Sequence, residues 1–172
     1  MDVFWGSSSV RLPEGVGLSL QCTHMDLRFE IERDGYRIST DPAELDFTAI
    51  HAFLTRSPWK YGITETGVRQ AAAHSLCFGL YCGTQQIGYA RVVSDYTDLA
   101  YVLDVYVLET HRGRGLGAWL VETMLAHPAL QRVAKWRLMS RDARGLYARY
   151  GFEPLAEPDR HMERIQVIKA SY

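Results

Sequence analysis

The chain has 172 residues, 47% of them hydrophobic and 23% charged, which predicts one domain with a sizeable core and argues against global disorder. A formal charge of −1 argues against a protein that binds nucleic acid through a strong overall basic field, although a local patch stays open. No run of 18 apolar residues occurs and no basic segment leads into an apolar one at the start, so neither a membrane span nor export is expected.

Residues 1–25 read as an N-terminal extension, loosely ordered, because Gly6, Ser7, Ser8, Ser9, Pro13, Gly15 and Gly17 interrupt any periodicity. Met25 opens the first patterned stretch, a start of translation there being one of two readings of the chain, and a single domain is expected over 26–172. Alternating runs at 27–31 and 36–39 flank Asp34-Gly35, a hairpin signal. Asp41-Pro42 with Glu44 three residues after the Asp predicts a capped helix start, and Leu45, Ile50, Phe53 and Leu54 supply its apolar face as far as Ser57-Pro58. An aromatic loop, Trp59, Lys60, Tyr61 and Gly62, precedes a second helix over about 65–75.

Strands are expected at 76–82 and 87–93, joined by Gly83, Thr84, Gln85 and Gln86, with Gly88 marking a bulge or a close approach. After a turn at 95–98, the β-branched and aromatic residues Tyr101, Val102, Val105, Tyr106 and Val107 form a further strand. A helix over 118–126 follows, and His127-Pro128 breaks it. The remainder predicts a strand at 133–139, a short helix at 142–150 stopped by Gly151, and one or two strands over 152–168 around a turn at 157–160. No internal repeat is present, and the whole reads as a mixed α/β domain.

The chemistry concentrates between the strand at 101–107 and the helix after it. Gly113, Gly115 and Gly117 alternate there with Arg112 and Arg114. Glycines let the backbone turn sharply and approach a ligand. The start of the helix has unpaired N–H groups and the positive end of the dipole, which together attract phosphate. The two arginines add guanidinium donors. A Walker loop needs a Lys that does not follow Gly117, and a dinucleotide fingerprint needs GxGxxG where this chain has GxGxG. A plain glycine-rich connection is the bland alternative. The spacing Arg112, Gly115, Gly117, directly after Val105-Tyr106-Val107-Leu108, resembles the acyl-CoA pyrophosphate loop of the GNAT superfamily of N-acetyltransferases. Ala143, Leu146-Tyr147 and Gly151-Phe152 resemble a second segment of that family, in the family's order, and the resemblance covers about 29–168. One departure is Ser140, seven residues before Tyr147, where many members have Asn.

The resemblance implies a GNAT fold: α/β, with a mixed, mostly antiparallel central sheet of about six or seven strands flanked by about four helices. It implies acetyl-CoA as cosubstrate and a primary amine of a small molecule or peptide as acceptor, joined by direct attack in a ternary complex. In that fold the strand ending at Val105, Tyr106 and Val107 splays from its neighbour, freeing backbone groups for the pantetheine arm, and the N–H of Val105 polarises the thioester carbonyl. The cofactor contacts extend over Arg112, Gly113, Arg114, Gly115, Leu116, Gly117 and Ala118, with Ser140 in the departing position. Tyr147 matches the general acid that protonates the CoA thiolate, a phenol of ordinary pKa about 10 being protonated at neutral pH. Hydrogen bonding to the sulfur, or packing alone, is its alternative role.

Asp104, flanked by apolar residues, is the candidate base, and its alternative is a carboxylate paired with an Arg or Tyr. Glu65 and His74 are weaker candidates, and His111 is expected to be structural or phosphate-adjacent. Trp59 and Tyr61 either shape the amine pocket or cover the core. The six histidines form no HExxH or Cys/His cluster, so no metal is implied. Cys22, Cys77 and Cys82, odd in number and without CxxC spacing, suit free thiols in the cytoplasm. No nucleic acid or membrane is expected as partner, and GNAT relatives are often monomers or homodimers. The rival function is a non-catalytic acyl-CoA sensor of the same fold.

Overall fold

A computed structural model describes residues 27–166, so the expected extension at 1–25, Cys22 and the end of the tail strand lie outside the described residues. Six strands form one sheet in chain order: β1 (Glu30–Arg33), β2 (Tyr36–Ser39), β3 (Leu76–Cys82), β4 (Gln85–Ser94), β5 (Leu99–Val107) and β6 (Lys135–Arg137). Neighbours are antiparallel from β1 to β5, and β6 runs parallel to β5. Parallel strands need a long crossover, supplied here by helix α3 (Leu116–Ala126). The other helices are α1 (Phe47–Leu54), α2 (Glu65–Ala73) and α4 (Arg144–Ala148), in agreement with the expected α/β architecture.

The sheet divides the core in two. On one face Phe78, Leu80, Val92 and Val102 pack with Trp119, Leu120 and Met124 of α3 and with Tyr147 of α4. On the other, Tyr89 and Tyr106 pack with Ile50, Phe53 and Leu54 of α1 and Val68 of α2, the Phe53 and Tyr106 rings stacking at 3.7 Å. This division follows from the strand alternation that turns successive side chains to opposite faces. Asp34 and Gly35, at φ 52° and 78°, make the two-residue turn that a right-twisted hairpin favours.

Four sequence expectations change in the fold. Asp41 caps only a 3-10 turn at Pro42–Glu44, accepting from Ala43 N, while Asp46 caps α1 by accepting from Ala49 N at 2.9 Å. The helix is interrupted because Leu45 takes an extended ψ of 121° and buries its side chain against α1. The β3–β4 loop is shorter than expected, since Gln85 and Gln86 pair with Cys82 and Tyr81. β6 pairs over three residues only. No strand follows α4 among the described residues, where the tail holds only a 3-10 turn at Pro158–Arg160. Pro154 and Pro158 cannot donate to a ladder, and the exposed residues around them include several charged side chains.

β4 and β5 carry the irregularity that matters most. Gly88 allows a close approach: a Cβ there would lie 2.8 Å from the Tyr106 carbonyl oxygen. Next to it the register shifts, Arg91 opposing Leu103 and Tyr89 opposing Tyr106, so that Asp104 and Val105 share the single partner position Ala90. This is a β-bulge, and Asp104 sits in it at a left-handed φ of 54°.

Candidate active site

β5 pairs with β6 only from Leu99, Ala100 and Tyr101 to Lys135, Trp136 and Arg137; beyond that point the two strands part. The gap is a cleft of about 830 Å³. Its floor is β5 over 101–105, one side is the segment 138–143 with Tyr147 of α4, and the other is Pro58, Trp59 and Lys60 from the α1–α2 connection.

Tyr147 is buried at 8% exposure, with Phe152 edge-on at 5.8 Å. Burial alone pushes its phenol up, so it stays protonated at neutral pH and is able to donate. Asp104 is buried as well, and Arg91 Nε donates to its Oδ2. Arg91 Nη1 donates in turn to Ser75 Oγ at 3.2 Å. Asp104 is thus both a paired carboxylate and a lining residue of the cleft, and its other oxygen, Oδ1, is buried with no partner. A protonated phenol in the wall of a cleft can give its proton to a group bound there.

Of the strand residues expected to meet the cofactor, Val105 lines the cleft, whereas the Tyr106 and Val107 side chains pack into the two cores. The loop expected to hold phosphate turns at two glycines. Gly113 and Gly115 both adopt φ 77°, with nothing within 4 Å of a Cβ at either, so the left-handed conformation, not crowding, calls for glycine. Gly115 is the N-cap of α3 and supplies no side-chain hydrogen bond, leaving the N–H groups of the first turn, at Leu116, Gly117 and Ala118, facing an uncapped end.

Both arginines of the loop are held. Arg112 Nε donates to the Val107 carbonyl at 2.9 Å, and Arg114 Nη1 donates to the Tyr36 hydroxyl at 2.7 Å. Tyr36 also lies edge-on to His111 at 6.3 Å, bracing the turn that leads into the loop. Ser140 lines the cleft and accepts from Ala143 N at 3.0 Å, so its hydroxyl oxygen organises the start of α4.

Trp59 lines the cleft and Tyr61, 85% exposed, does not. Glu65 is engaged with Arg69 on α2, and His74 borders a separate, shallower depression between α2 and β4. Neither lines the cleft. The sequence reading assigned no role to Lys60, Tyr101, Met139, Arg141 or Asp142, which line it, nor to Arg91 and Tyr36. Arg91 carried one legible signal, a charge inside the apolar run 87–93.

A model of the acetyltransferase (GNAT) domain matches residues 73–154. A protein of Gibberella zeae named as an acetyltransferase is 33% identical over 125 residues, spanning 59% of this chain and 71% of that one. A GNAT-family acetyltransferase of Xanthomonas campestris pv. campestris has a solved structure with 44% identity and a TM-score of 0.74, over 76% of this chain and 93% of that one. An acetyltransferase of Clostridium acetobutylicum solved with acetyl-CoA shares the fold at 18% identity and a TM-score of 0.56, over 76% and 94% of the two chains. With the order of both motifs, the splayed sheet and two relatives above 30% identity in agreement, the chain belongs to the GNAT acetyltransferase family.

Proposed function

We propose that this protein transfers the acetyl group of acetyl-CoA to a primary amine of a small molecule or peptide, by direct attack in a ternary complex. The parting of β5 from β6, with Tyr147 in the wall of the resulting cleft, is the observation that carries this reading. The uncapped start of α3 and the guanidinium groups of Arg112 and Arg114 receive the pyrophosphate. The β5 edge pairs with the pantetheine arm as an added strand would. The N–H of Val105, in the bulge, polarises the thioester carbonyl and steadies the oxyanion. The amine nitrogen bonds to the carbonyl carbon, and the C–S bond then breaks. Tyr147 gives its proton to the departing thiolate, and Asp104 Oδ1 receives the amine's proton, directly or through water. The free thiols of Cys77 and Cys82 fit a reducing compartment, in keeping with a cytoplasmic enzyme acting as a monomer or homodimer.

Calorimetric titration with acetyl-CoA comes first, with ATP and NAD as comparisons. Selective binding is expected, and no binding by a folded sample overturns the reading. Tyr147→Phe is then expected to lower kcat by about 100-fold or more, the range typical of a lost general acid, with acetyl-CoA affinity retained. A variant as fast as the parent removes Tyr147 from that role. Binding with no turnover on any amine converts the reading to an acyl-CoA sensor.

A further inference from the structure

Resting on the acetyl-transfer reading, we propose that the acceptor is a monoamine carried on an apolar, ring-bearing body, and that polycations such as polyamines and aminoglycosides are discriminated against. Two independent features of the cleft lead there.

The first is charge. Among the described residues lining the cleft the only carboxylates are Asp104 and Asp142. The Asp104 charge is offset by Arg91, both side chains being buried at 3% and 8% exposure. Asp142 is followed on the same wall by no further acid and is preceded by Arg141, while Lys60 stands on the other side. A polycation entering this space gives up hydration at several charges and meets no row of carboxylates in return. One acid of the lining remains unpaired, Asp142, exposed on the wall and outside the ion pairs of the described residues. A single unpaired acid matches one charge of a ligand rather than several, and the Asp104 carboxylate, with Oδ1 buried and Oδ2 held by Arg91, offers a second cation nothing. Because Arg91 already balances the carboxylate, the site gives an ammonium little stabilisation, and desolvation favours the uncharged amine that can attack.

The second is the apolar wall. Trp59 and Met139, from the two sides of the cleft, are 51% and 80% exposed, and Tyr101 and Leu138 also line it. Trp59 is braced from behind by Phe53 at 6.4 Å, and Phe53 is itself stacked on Tyr106. A flat apolar group slides onto an indole already held in place, so little side-chain entropy is lost on binding.

The test compares 2-phenylethylamine, spermidine and kanamycin as acceptors with acetyl-CoA saturating. We expect kcat/KM for 2-phenylethylamine at least about tenfold above both others. Trp59→Ala, at an exposed position, is expected to raise the KM for 2-phenylethylamine about tenfold without moving the KM for acetyl-CoA, and Trp59→Phe to restore much of it. Equal or better use of spermidine or kanamycin overturns the proposal, as does a Trp59→Ala variant with an unchanged amine KM. If no amine is acetylated, calorimetric titration of the CoA-saturated protein decides. Binding of 2-phenylethylamine in preference to spermidine sustains the acceptor class while the transfer reading falls; tighter binding of the polyamine, or no binding of the monoamine, overturns the acceptor class itself.

Discussion

Asp104 combines three costs at one position: a left-handed φ, burial and charge. A non-glycine residue held there is strained by about 1–2 kcal/mol, and an unpaired carboxylate at that depth would cost more. Arg91 offsets the charge across the β4–β5 ladder. Removing one partner of such a pair costs about 3–5 kcal/mol, because the other is left charged and unpaired, while removing both costs much less. Arg91→Met is therefore expected to lower the urea unfolding midpoint sharply, and Arg91→Met with Asp104→Asn to recover a large part of the loss. A double variant no more stable than Arg91→Met would remove the pair from this account.

The bulge works because β4 lets β5 approach closely. A Cβ at Gly88 would meet the Tyr106 carbonyl at 2.8 Å, and that oxygen belongs to backbone that cannot swing away. Overpacking of this kind costs about 1–3 kcal/mol. Gly88→Ala is expected to weaken acetyl-CoA binding as well as stability, since the strain falls beside Val105. Titration of the folded variant that returns the parent's affinity would separate the bulge from the cofactor edge. Gly115→Ala differs: nothing crowds the added methyl group, and the penalty is the positive φ alone. The expected result is a stability loss of about 1–2 kcal/mol, accompanied by weaker acetyl-CoA binding because the displaced residue caps the α3 start.

At the scale of the whole molecule, His127 ties three parts of the chain together. It is 2% exposed, lies edge-on to Phe29 and Phe78, donates from Nε2 to the Leu27 carbonyl and accepts at Nδ1 from Ala129 N. Those two bonds require the neutral ring with its proton on Nε2. Burial lowers its pKa, against a smaller opposing effect of the Leu27 carbonyl. Below the ordinary histidine value of about 6.5 the unfolded chain therefore binds a proton that the folded one resists. Stability from this group is complete above that pH and is lost as pH falls toward the lowered value. The urea midpoint is expected to drop between pH 7.5 and 5.5, and His127→Gln to flatten the drop. An equal drop in both proteins would assign it to other groups.

Local signals carried much of the fold. Asp34-Gly35, the alternation at 36–39, the β-branched and aromatic content of β5, the glycines at 113 and 115 and the stop at Gly151 all act through the sterics of one residue and its neighbours, so they are legible in the chain itself. The helix after the glycines was legible too, although α3 begins at Leu116, two residues before the expected 118. What only the tertiary structure decided depends on residues far apart meeting in one register. Burial of Leu45 moved the helix cap from Asp41 to Asp46. The pairing of Arg91 with Asp104 followed from the bulge that sets β4 against β5. The cleft itself exists because β6 leaves β5 after three pairs and carries Met139, Ser140 and Tyr147 to face Trp59 and Lys60, a juxtaposition that no local spacing encodes.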